Sequence, residues 1–279
     1  MRVDSHHHLW RYTAEDYGWI QDSPNGSMSV LQRDFLPADL EREASAAGVD
    51  STIAVQARQT FEETRWLLSL AGESNLIRGV VGWAPITADD FSATLDTLRQ
   101  NPLLKGLRHV VQAEPDGFLD APAFNRGIAS LLPTGLVYDI LIFARQLPET
   151  VRFVDRHPQQ PFVLDHIAKP CIKANAFSEW DNDIREIARR PNIVCKLSGM
   201  VTEADWLTWS PAQLQPYFDT VLEAFGPSRL MFGSDWPVLT VACTYRQWSE
   251  TVEAWLTPLS PTERAQILGE TATRIYRLT

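Results

Sequence analysis

The stretch RVDSHHHLW, residues 2–10, decides between the two folds that the rest of the chain allows. It begins as a short strand-like run and ends in three histidines that lead directly into Leu9 and Trp10. A purification tag is normally a longer run beside a linker, so we interpret the histidines as native. A doubly wound α/β sheet would place a glycine-rich phosphate loop after its first strand. Histidines at this position favour the alternative arrangement, a closed barrel of parallel strands.

Short apolar, β-branched runs recur along the whole chain and alternate with amphipathic segments. The predicted strands are 2–6, 51–57, 77–83, 104–110, 136–142, 161–166, 193–198 and 230–235. Helical spacing is clear in 37–48, 62–73, 91–100 and 182–190. Near-continuous hydrophobic strands that alternate with helices are typical of a parallel sheet covered by helices. We predict a (β/α)8 TIM barrel, a single domain over residues 1–279, with a long loop at 16–35.

Composition limits the class of partner. The 279 residues are 44% hydrophobic, which is enough for one barrel of about 250 residues. The formal net charge of −10 argues against nucleic acid or an anionic membrane surface, since both require a basic patch. A small-molecule substrate is therefore expected. The oligomeric state is left open.

The cysteines and the N-terminus predict a compartment. Cys171, Cys195 and Cys243 are widely spaced and form no C-x-x-C pair, so neither a disulfide framework nor a thiolate zinc site is indicated. A reducing compartment is consistent with this pattern. The N-terminus shows no apolar segment typical of a signal peptide. We therefore expect a cytoplasmic protein without a membrane span.

Polar and aromatic residues gather at the predicted C-terminal ends of the strands, where barrels of this kind place their active sites. These residues are His6, His8, Gln56, Arg58, Trp83, Arg108, His109, His166, Lys196, Ser198, Asp235 and Trp236. Four of the six histidines are among them, which chance would rarely arrange.

The H-x-H pair suggests a metal centre. Side chains alternate along a strand, so His6 and His8 project to one side and His7 to the other. With His166 and Asp235 they offer three nitrogens and a carboxylate, a set suited to one Zn²⁺ or similar divalent ion. The alternative is mutual hydrogen bonding at the barrel mouth, but four such residues at these positions favour a site. Asp165 is expected to face away from His166 and to be structural.

Several motifs, in this order along the chain, resemble the amidohydrolase superfamily. They include DSHHHLW (4–10), KGLRHVVQ (105–112), DHIAKP (165–170) and GSDWP (233–237). More narrowly, they are similar to its branch of predicted metal-dependent hydrolases that open sugar lactones, above all the L-fucono-lactonases and L-rhamnono-lactonases. The resemblance covers the whole chain, although Thr271 stands where asparagine is expected.

The resemblance implies a hydrolase of carboxylic esters that acts in carbohydrate catabolism. Binuclear members of the superfamily use a bridging lysine or glutamate and a histidine from strands four and five, and neither is present here. At most one metal is therefore implied. Some lactonases of this branch work without a metal, so the resemblance leaves both a metal-bound and a metal-free site open.

Lactone hydrolysis requires that water be activated, an oxyanion stabilised and the ring oxygen protonated. We assign Asp235 as the general base and include His166 and His109 among the catalytic residues. Arg108 and His109 are adjacent and must face opposite ways, and we favour His109 as the one that points into the site. The predicted substrate-binding residues are Gln56, Arg58, Trp83, Arg108, Lys196, Trp236 and Trp10. For the tryptophans the alternative is packing under the loops, and for the cations it is ordinary ion pairing.

Two other functions stay open at this point. The first is another mononuclear reaction of the superfamily, amide hydrolysis or decarboxylation. The second is a barrel that binds a small ligand without catalysis. The joint presence of His6, His8, His166 and Asp235 speaks against the second. The R-H and D-H-x-x-K-P motifs favour a lactonase over the first.

Overall fold

The computed structural model describes residues 1–278 and contains one parallel sheet of eight strands in chain order. The strands are β1 (Val3–His7), β2 (Ser51–Val55), β3 (Ile77–Gly82), β4 (Leu104–His109), β5 (Val137–Ile140), β6 (Phe162–Leu164), β7 (Ile193–Leu197) and β8 (Leu230–Phe232). His7 forms a parallel bridge with Trp236, just beyond β8, so the last strand returns to the first. The predicted (β/α)8 barrel is confirmed.

Helices surround the sheet. They are α1 (Pro37–Ala46), α2 (Phe61–Glu73), α3 (Phe91–Leu98), α4 (Pro122–Ala129), α5 (Leu147–Arg156), α6 (Ser178–Ala188), α7 (Met200–Glu203), α8 (Pro211–Phe225), α9 (Tyr245–Leu256), α10 (Pro261–Ala265) and α11 (Thr271–Ile275). Within the described part of the chain, no helix has the length and apolar character needed to cross a membrane.

Helix α2 illustrates how the sequence determines these elements. The Thr60 side chain accepts a hydrogen bond from the Glu63 backbone N–H and so caps the first turn. Leu67, Leu68 and Ala71 are buried, and their spacing of one and four residues places them on one face against the sheet. The helix therefore begins where the sequence supplies a cap and stays attached through its apolar face.

The lower half of the barrel interior is apolar. Mostly β-branched side chains from the strands meet there and are closed off by Tyr276 and Leu278 near the C-terminus. The strand residues are Val3, Ile53, Val55, Val81, Val137, Val163, Val194 and Met231. β-Branched residues suit this layer because they pack well on a pleated surface and lose little freedom in a strand.

Seven of the eight strands end one to three residues earlier than predicted, and the early ends of β6 and β8 affect the site. The backbone leaves the β region after Leu164 and after Phe232. His166 (φ 52°) and Asp235 (φ 60°) both adopt the left-handed conformation, which non-glycine residues rarely occupy. These two side chains are therefore held by tight turns beyond the strands. The turns direct both toward the barrel axis.

Candidate active site

Four predicted residues meet at the C-terminal mouth of the barrel. His6 Nε2 lies 3.2 Å from His8 Nε2, and Asp235 Oδ1 lies 3.4 Å from His8 Nε2. The same carboxylate oxygen lies 3.8 Å from His6 Nε2 and 3.9 Å from His166 Nε2. All four side chains are at most 6% exposed. The structure thus brings together two histidines from the start of the chain, one from its middle and an aspartate near its end.

Close backbone approach makes room for this cluster. A Cβ atom added to Gly233 would lie 2.9 Å from the Cβ of His6, and one added to Gly199 would lie 2.5 Å from Nδ1 of His166. Both distances are shorter than side chains tolerate. Gly199, just after β7, and Gly233 of the G-S-D-W-P motif are therefore required by the histidines that they face.

Irregular pairing of β1 also contributes to the cluster. Val3 points into the barrel, whereas Asp4 accepts hydrogen bonds from the Ser234 hydroxyl at 2.6 Å and from the Tyr245 hydroxyl at 2.9 Å. The register of β1 against β2 then shifts between Asp4 and His7. This shift places His6 inside the barrel although Asp4 lies toward the surrounding helix α9. Asp4 thus ties β1 to the turn that carries Asp235.

The hydrogen bonds of the histidines favour the neutral form that binds metals. His8 Nδ1 lies 2.8 Å from the Val55 carbonyl oxygen and must donate to it, which leaves the Nε2 lone pair directed at the cluster. His6 Nδ1 lies 3.3 Å from Asp165 Oδ1. Burial lowers the pKa of His166 to about 4 and that of His6 well below its usual range. Both rings are therefore neutral at pH 7.

The donor set fits one divalent ion. Four-coordinate zinc with bonds of about 2.0–2.1 Å separates its ligand atoms by roughly 3.3 Å. The ligand atoms of His6, His8 and Asp235 all lie within 4.8 Å of one another, and those of His6, Asp165 and His166 form a second such group. Arg108 Nη1 also lies 3.3 Å from His6 Nε2. The guanidinium and an ion would therefore compete for that nitrogen.

A buried ionic network supports the cluster from below. Lys196 Nζ lies 2.6 Å from Asp139 and 3.0 Å from Asp165, and Arg108 lies 2.9 Å from Asp165. The Tyr276 hydroxyl donates to Asp139 at 2.8 Å. The two carboxylates and two cations balance one another, which limits the cost of burying charge.

This network corrects two expectations. Lys196 is fully buried and does not line the cavity, so it is placed to support the cluster and not to contact substrate. Asp165 does not face away from the site, because it contacts both Arg108 and His6. The left-handed turn at His166 breaks the strand alternation on which that expectation relied.

The structure reverses the preference between Arg108 and His109. Arg108 is buried, contacts His6 and lines the cavity. The His109 ring stacks on Phe118 and lies 2.8 Å from Glu114, outside the cavity. Strict alternation on β4 explains the outcome, since only one of two adjacent side chains can point inward.

The three tryptophans predicted to bind substrate pack beneath the loops and do not line the cavity. Trp10 is fully buried and donates to the Arg33 carbonyl, and Trp236 packs edge-on against Phe35. Trp83 donates to His109 Nδ1. The alternative interpretation from the sequence, packing under the loops, therefore describes all three tryptophans.

A cavity of about 820 Å³ opens above the cluster, and His8, His166, Arg108 and Asp235 form part of its lining. Arg58 also lines it and pairs with Asp16 at 2.6 Å. Gln56 is buried behind the wall, where its side-chain amide donates to the Arg108 carbonyl.

The lining residues that were not identified from the sequence include Trp19, Lys169, Glu203 and Trp206. Lys169 belongs to the DHIAKP motif and Trp19 to the long loop at 16–35, so the sequence contained a feature that could have identified each as a cavity residue. Glu203 and Trp206 follow β7 in a segment without a motif.

Comparison with known proteins identifies the family. The profile described as "Amidohydrolase" matches residues 3–278. The chain is 42% identical to an L-fucono-1,5-lactonase of Burkholderia multivorans, which covers 100% of this chain and 96% of the relative. It is 34% identical to an L-fucono-1,5-lactonase of Burkholderia ambifaria, over 99% of this chain and 96% of the relative. A crystal structure of a Burkholderia multivorans amidohydrolase with bound zinc superposes with a TM-score of 0.95, at 42% identity and 100% coverage of both chains. The chain therefore belongs to the amidohydrolase family.

Proposed function

We propose that this protein is a hydrolase that opens a sugar lactone, such as L-fucono-1,5-lactone, to the free acid. The observation that carries the proposal is the Asp235 carboxylate, which lies beside the imidazoles of His6, His8 and His166 and lines the cavity. Full-length similarity to two L-fucono-1,5-lactonases supports the choice of substrate.

Asp235 is suited to act as the general base. Burial alone would raise its pKa, but the positive charge that His166 carries at the acidic pH where the carboxyl titrates, together with the contact with His8, outweighs burial and lowers the pKa below the ordinary value. The carboxylate is therefore ionised at neutral pH and can accept a proton from water.

The reaction then follows from the placement of the residues. Asp235 takes a proton as the water oxygen bonds to the lactone carbonyl carbon. The Arg108 guanidinium can donate to the oxyanion that forms. When the carbon–ring oxygen bond breaks, Asp235 returns the proton to the ring oxygen. The product is the open hydroxy acid, and the carboxylate is restored.

A divalent ion fits this scheme. His6, His8 and Asp235 would hold it, with His166, whose Nε2 lies 3.9 Å from Asp235 Oδ1, as a fourth donor, and zinc is the ion found in the related crystal structure. When bound, such an ion supplies Lewis acidity to water or to the carbonyl oxygen. The neutral histidines hold the water and the carbonyl in position whether or not the ion is required.

The two lactonase relatives favour this reaction over amide hydrolysis, decarboxylation and ligand binding without catalysis. The predicted partner is a small neutral molecule. The cytoplasmic location stays a prediction from the sequence.

A pH-indicator assay with purified protein tests the proposal, because lactone opening releases a proton. We expect turnover of L-fucono-1,5-lactone and weaker turnover of other sugar lactones, measured before and after chelation. If no lactone is opened while an amide or a decarboxylation substrate turns over, the proposal is wrong.

A further inference from the structure

We propose that Glu203 and Lys169 form a subsite that binds hydroxyl groups of the substrate, and that it gives the enzyme its preference for polyhydroxylated lactones. This inference rests on the proposed function and specifies its substrate class.

Both side chains face the cavity from different elements. Glu203 ends helix α7, and Lys169 follows β6 in a left-handed conformation (φ 47°). Lys169 Nζ lies 3.9 Å from Glu203 Oε1, and the side chains are only 18% and 21% exposed. A separation of 3.9 Å is an ion pair but too long for a hydrogen bond.

Neither side chain is satisfied by the protein. Over residues 1–278, the Glu203 carboxylate accepts no hydrogen bond and the Lys169 ammonium donates none, and both side chains keep part of their surface exposed on the cavity wall. Arg58 on the same cavity differs, because its guanidinium is bonded to Asp16. The hydrogen-bonding groups of this pair are therefore available to a ligand in the cavity.

The chemistry of the pair matches a hydroxyl group. A carboxylate only accepts hydrogen bonds and an ammonium only donates them, whereas a hydroxyl does both. One hydroxyl, or two neighbouring ones, can therefore join Glu203 and Lys169. Burial raises the pKa of Glu203, and the Lys169 ammonium opposes that rise. A carboxylate and an ammonium together carry no net charge toward a neutral lactone.

The surroundings of Glu203 and Lys169, and their position relative to Asp235, are consistent with binding of substrate hydroxyls. Trp206, Phe143 and Val238 line the same cavity and cannot bind hydroxyls through their aliphatic and ring carbons. Lys169 follows His166 by three residues, and its ammonium contributes to the low pKa of Asp235. A lactone held with its carbonyl near Asp235 therefore has the pair within reach of its ring.

The test compares two lactones with the same six-membered ring. L-Fucono-1,5-lactone carries hydroxyls, and δ-valerolactone carries none. We expect Glu203→Gln to lower the ratio of the two kcat/KM values, sugar lactone over δ-valerolactone, by about 10- to 100-fold, mainly through KM. Lys169→Met is expected to shift the ratio in the same direction, which keeps the test valid if one variant folds poorly. Glu73→Gln, exposed at the far end of α2, is the matched control and should keep the wild-type ratio.

Three results would overturn the inference. An unchanged ratio in both variants shows that the pair binds no hydroxyl. An equal fall for both lactones shows that the pair supports the chemistry or the fold without selecting hydroxyls. If the wild-type protein opens neither lactone, the proposed function fails first, and the inference fails with it.

Discussion

Asp235 is the residue in which backbone conformation and chemistry are most closely joined. Its left-handed φ of 60° turns the side chain toward the histidines, and its backbone N–H donates to the His6 carbonyl at 2.8 Å. The proposed base is thus attached to the strand that carries two of its three imidazole neighbours. A rigid attachment of this kind holds a catalytic group in its productive geometry.

Asp235→Asn is expected to lower kcat by about 10²- to 10⁴-fold, because the amide cannot accept the proton from water. The amide keeps the shape of the side chain, so the circular dichroism spectrum and Tm should stay close to those of the wild type. Steady-state kinetics checks the prediction. Retained turnover would exclude Asp235 as the base.

Arg108 and His109 offer a direct test of the reversed assignment. Arg108→Lys should reduce kcat/KM by at least tenfold, since lysine cannot reproduce the planar fork whose Nη1 contacts His6 and Asp165 while its Nη2 donates to the Gln56 carbonyl. His109→Gln should cause a clearly smaller loss, because His109 lies outside the cavity. Steady-state kinetics of the two variants, measured in parallel, shows which of the two residues contributes to the site. A larger loss of kcat/KM in His109→Gln would favour His109, as the sequence analysis did.

At this scale, the sequence supplied the members of the cluster but not their surroundings. Barrels of this kind place their active sites at the C-terminal ends of the strands, and this expectation selected four residues that do meet: His6, His8, His166 and Asp235. The same expectation could not distinguish a residue that faces the cavity from one that packs beneath a loop. Trp10 was therefore predicted to bind substrate although it is packed beneath the loops. That choice depends on long-range contacts that no local pattern contains.

At the scale of elements, β4 to β7 are joined by the charges that they bury. Asp139 on β5, Lys196 on β7 and Asp165 just beyond β6 form one chain of contacts in the barrel interior. All three are fully buried. Removing one member leaves the others without compensation.

Lys196→Met should lower the free energy of unfolding by about 3–5 kcal/mol, the usual cost of breaking a buried pair. Urea unfolding followed by fluorescence measures it. Adding Asp139→Leu to this variant should recover part of the loss, since it removes one uncompensated carboxylate. Lys173→Met, with a side chain 43% exposed, is the control. A loss in Lys196→Met no larger than in the control would contradict the prediction.

Helix α2 provides a prediction about pH. Glu63 Oε2 accepts hydrogen bonds from the backbone N–H groups of Ala57 at 3.0 Å and Arg58 at 2.7 Å, and burial raises the Glu63 pKa to about 7 from its ordinary 4.5. Between these values the folded state binds more protons than the unfolded state. The stability that this group contributes is therefore present below pH 4.5 and is lost as pH rises through 7.

Glu63→Gln lacks this proton, so its free energy of unfolding should rise relative to the wild type as pH increases from 4.5 to 7. Denaturant unfolding at several pH values checks the trend. Glu62→Gln, at an exposed neighbouring position, should show no such trend. A constant difference between Glu63→Gln and the wild type would refute the pKa shift.

Elements were easier to predict than their ends. Each predicted strand overlaps an observed one, because a run of buried apolar residues is a strong signal over its whole length. The early ends of β6 and β8 depend on left-handed turns at His166 and Asp235, and neither residue is a glycine that would mark such a turn. The π-helical turn at Gln266–Glu270 also has no simple local signature.

At the scale of the whole molecule, metal binding should couple to folding. The candidate ligands come from β1, the turn after β6 and the turn after β8, and they lie together only in the folded barrel. A ligand that binds the folded state alone stabilises it by about 4 kcal/mol at 1,000 times its Kd.

Zn²⁺ at such an excess should raise Tm by on the order of 10 °C over the chelated protein. His8→Ala should remove most of that increase, because the ion loses a ligand held in place by the Val55 carbonyl. His157→Asn, which lies away from the cluster beside Asn125, should keep the response. Differential scanning fluorimetry measures all three. An equal increase in His8→Ala would place the ion elsewhere.

The architecture of the molecule could be predicted because eight strand signals and their connecting helices repeat along the chain. The single-domain boundary of 1–279 stays a prediction, and Thr279 lies outside the described residues. The size and apolar walls of the cavity could not be predicted, since they arise where the loop at 16–35 meets the segment after β7.

The joining of β1 to the turn after β8 has a consequence during synthesis. A ribosome adding about 5–20 residues per second makes His6 roughly 10–50 s before Asp235. Throughout that time the nascent first strand has no β8 partner, and its two site histidines have no base. The active site therefore forms only after synthesis has passed β8, and a product terminated before Asp235 would be inert however much of the barrel it had already formed.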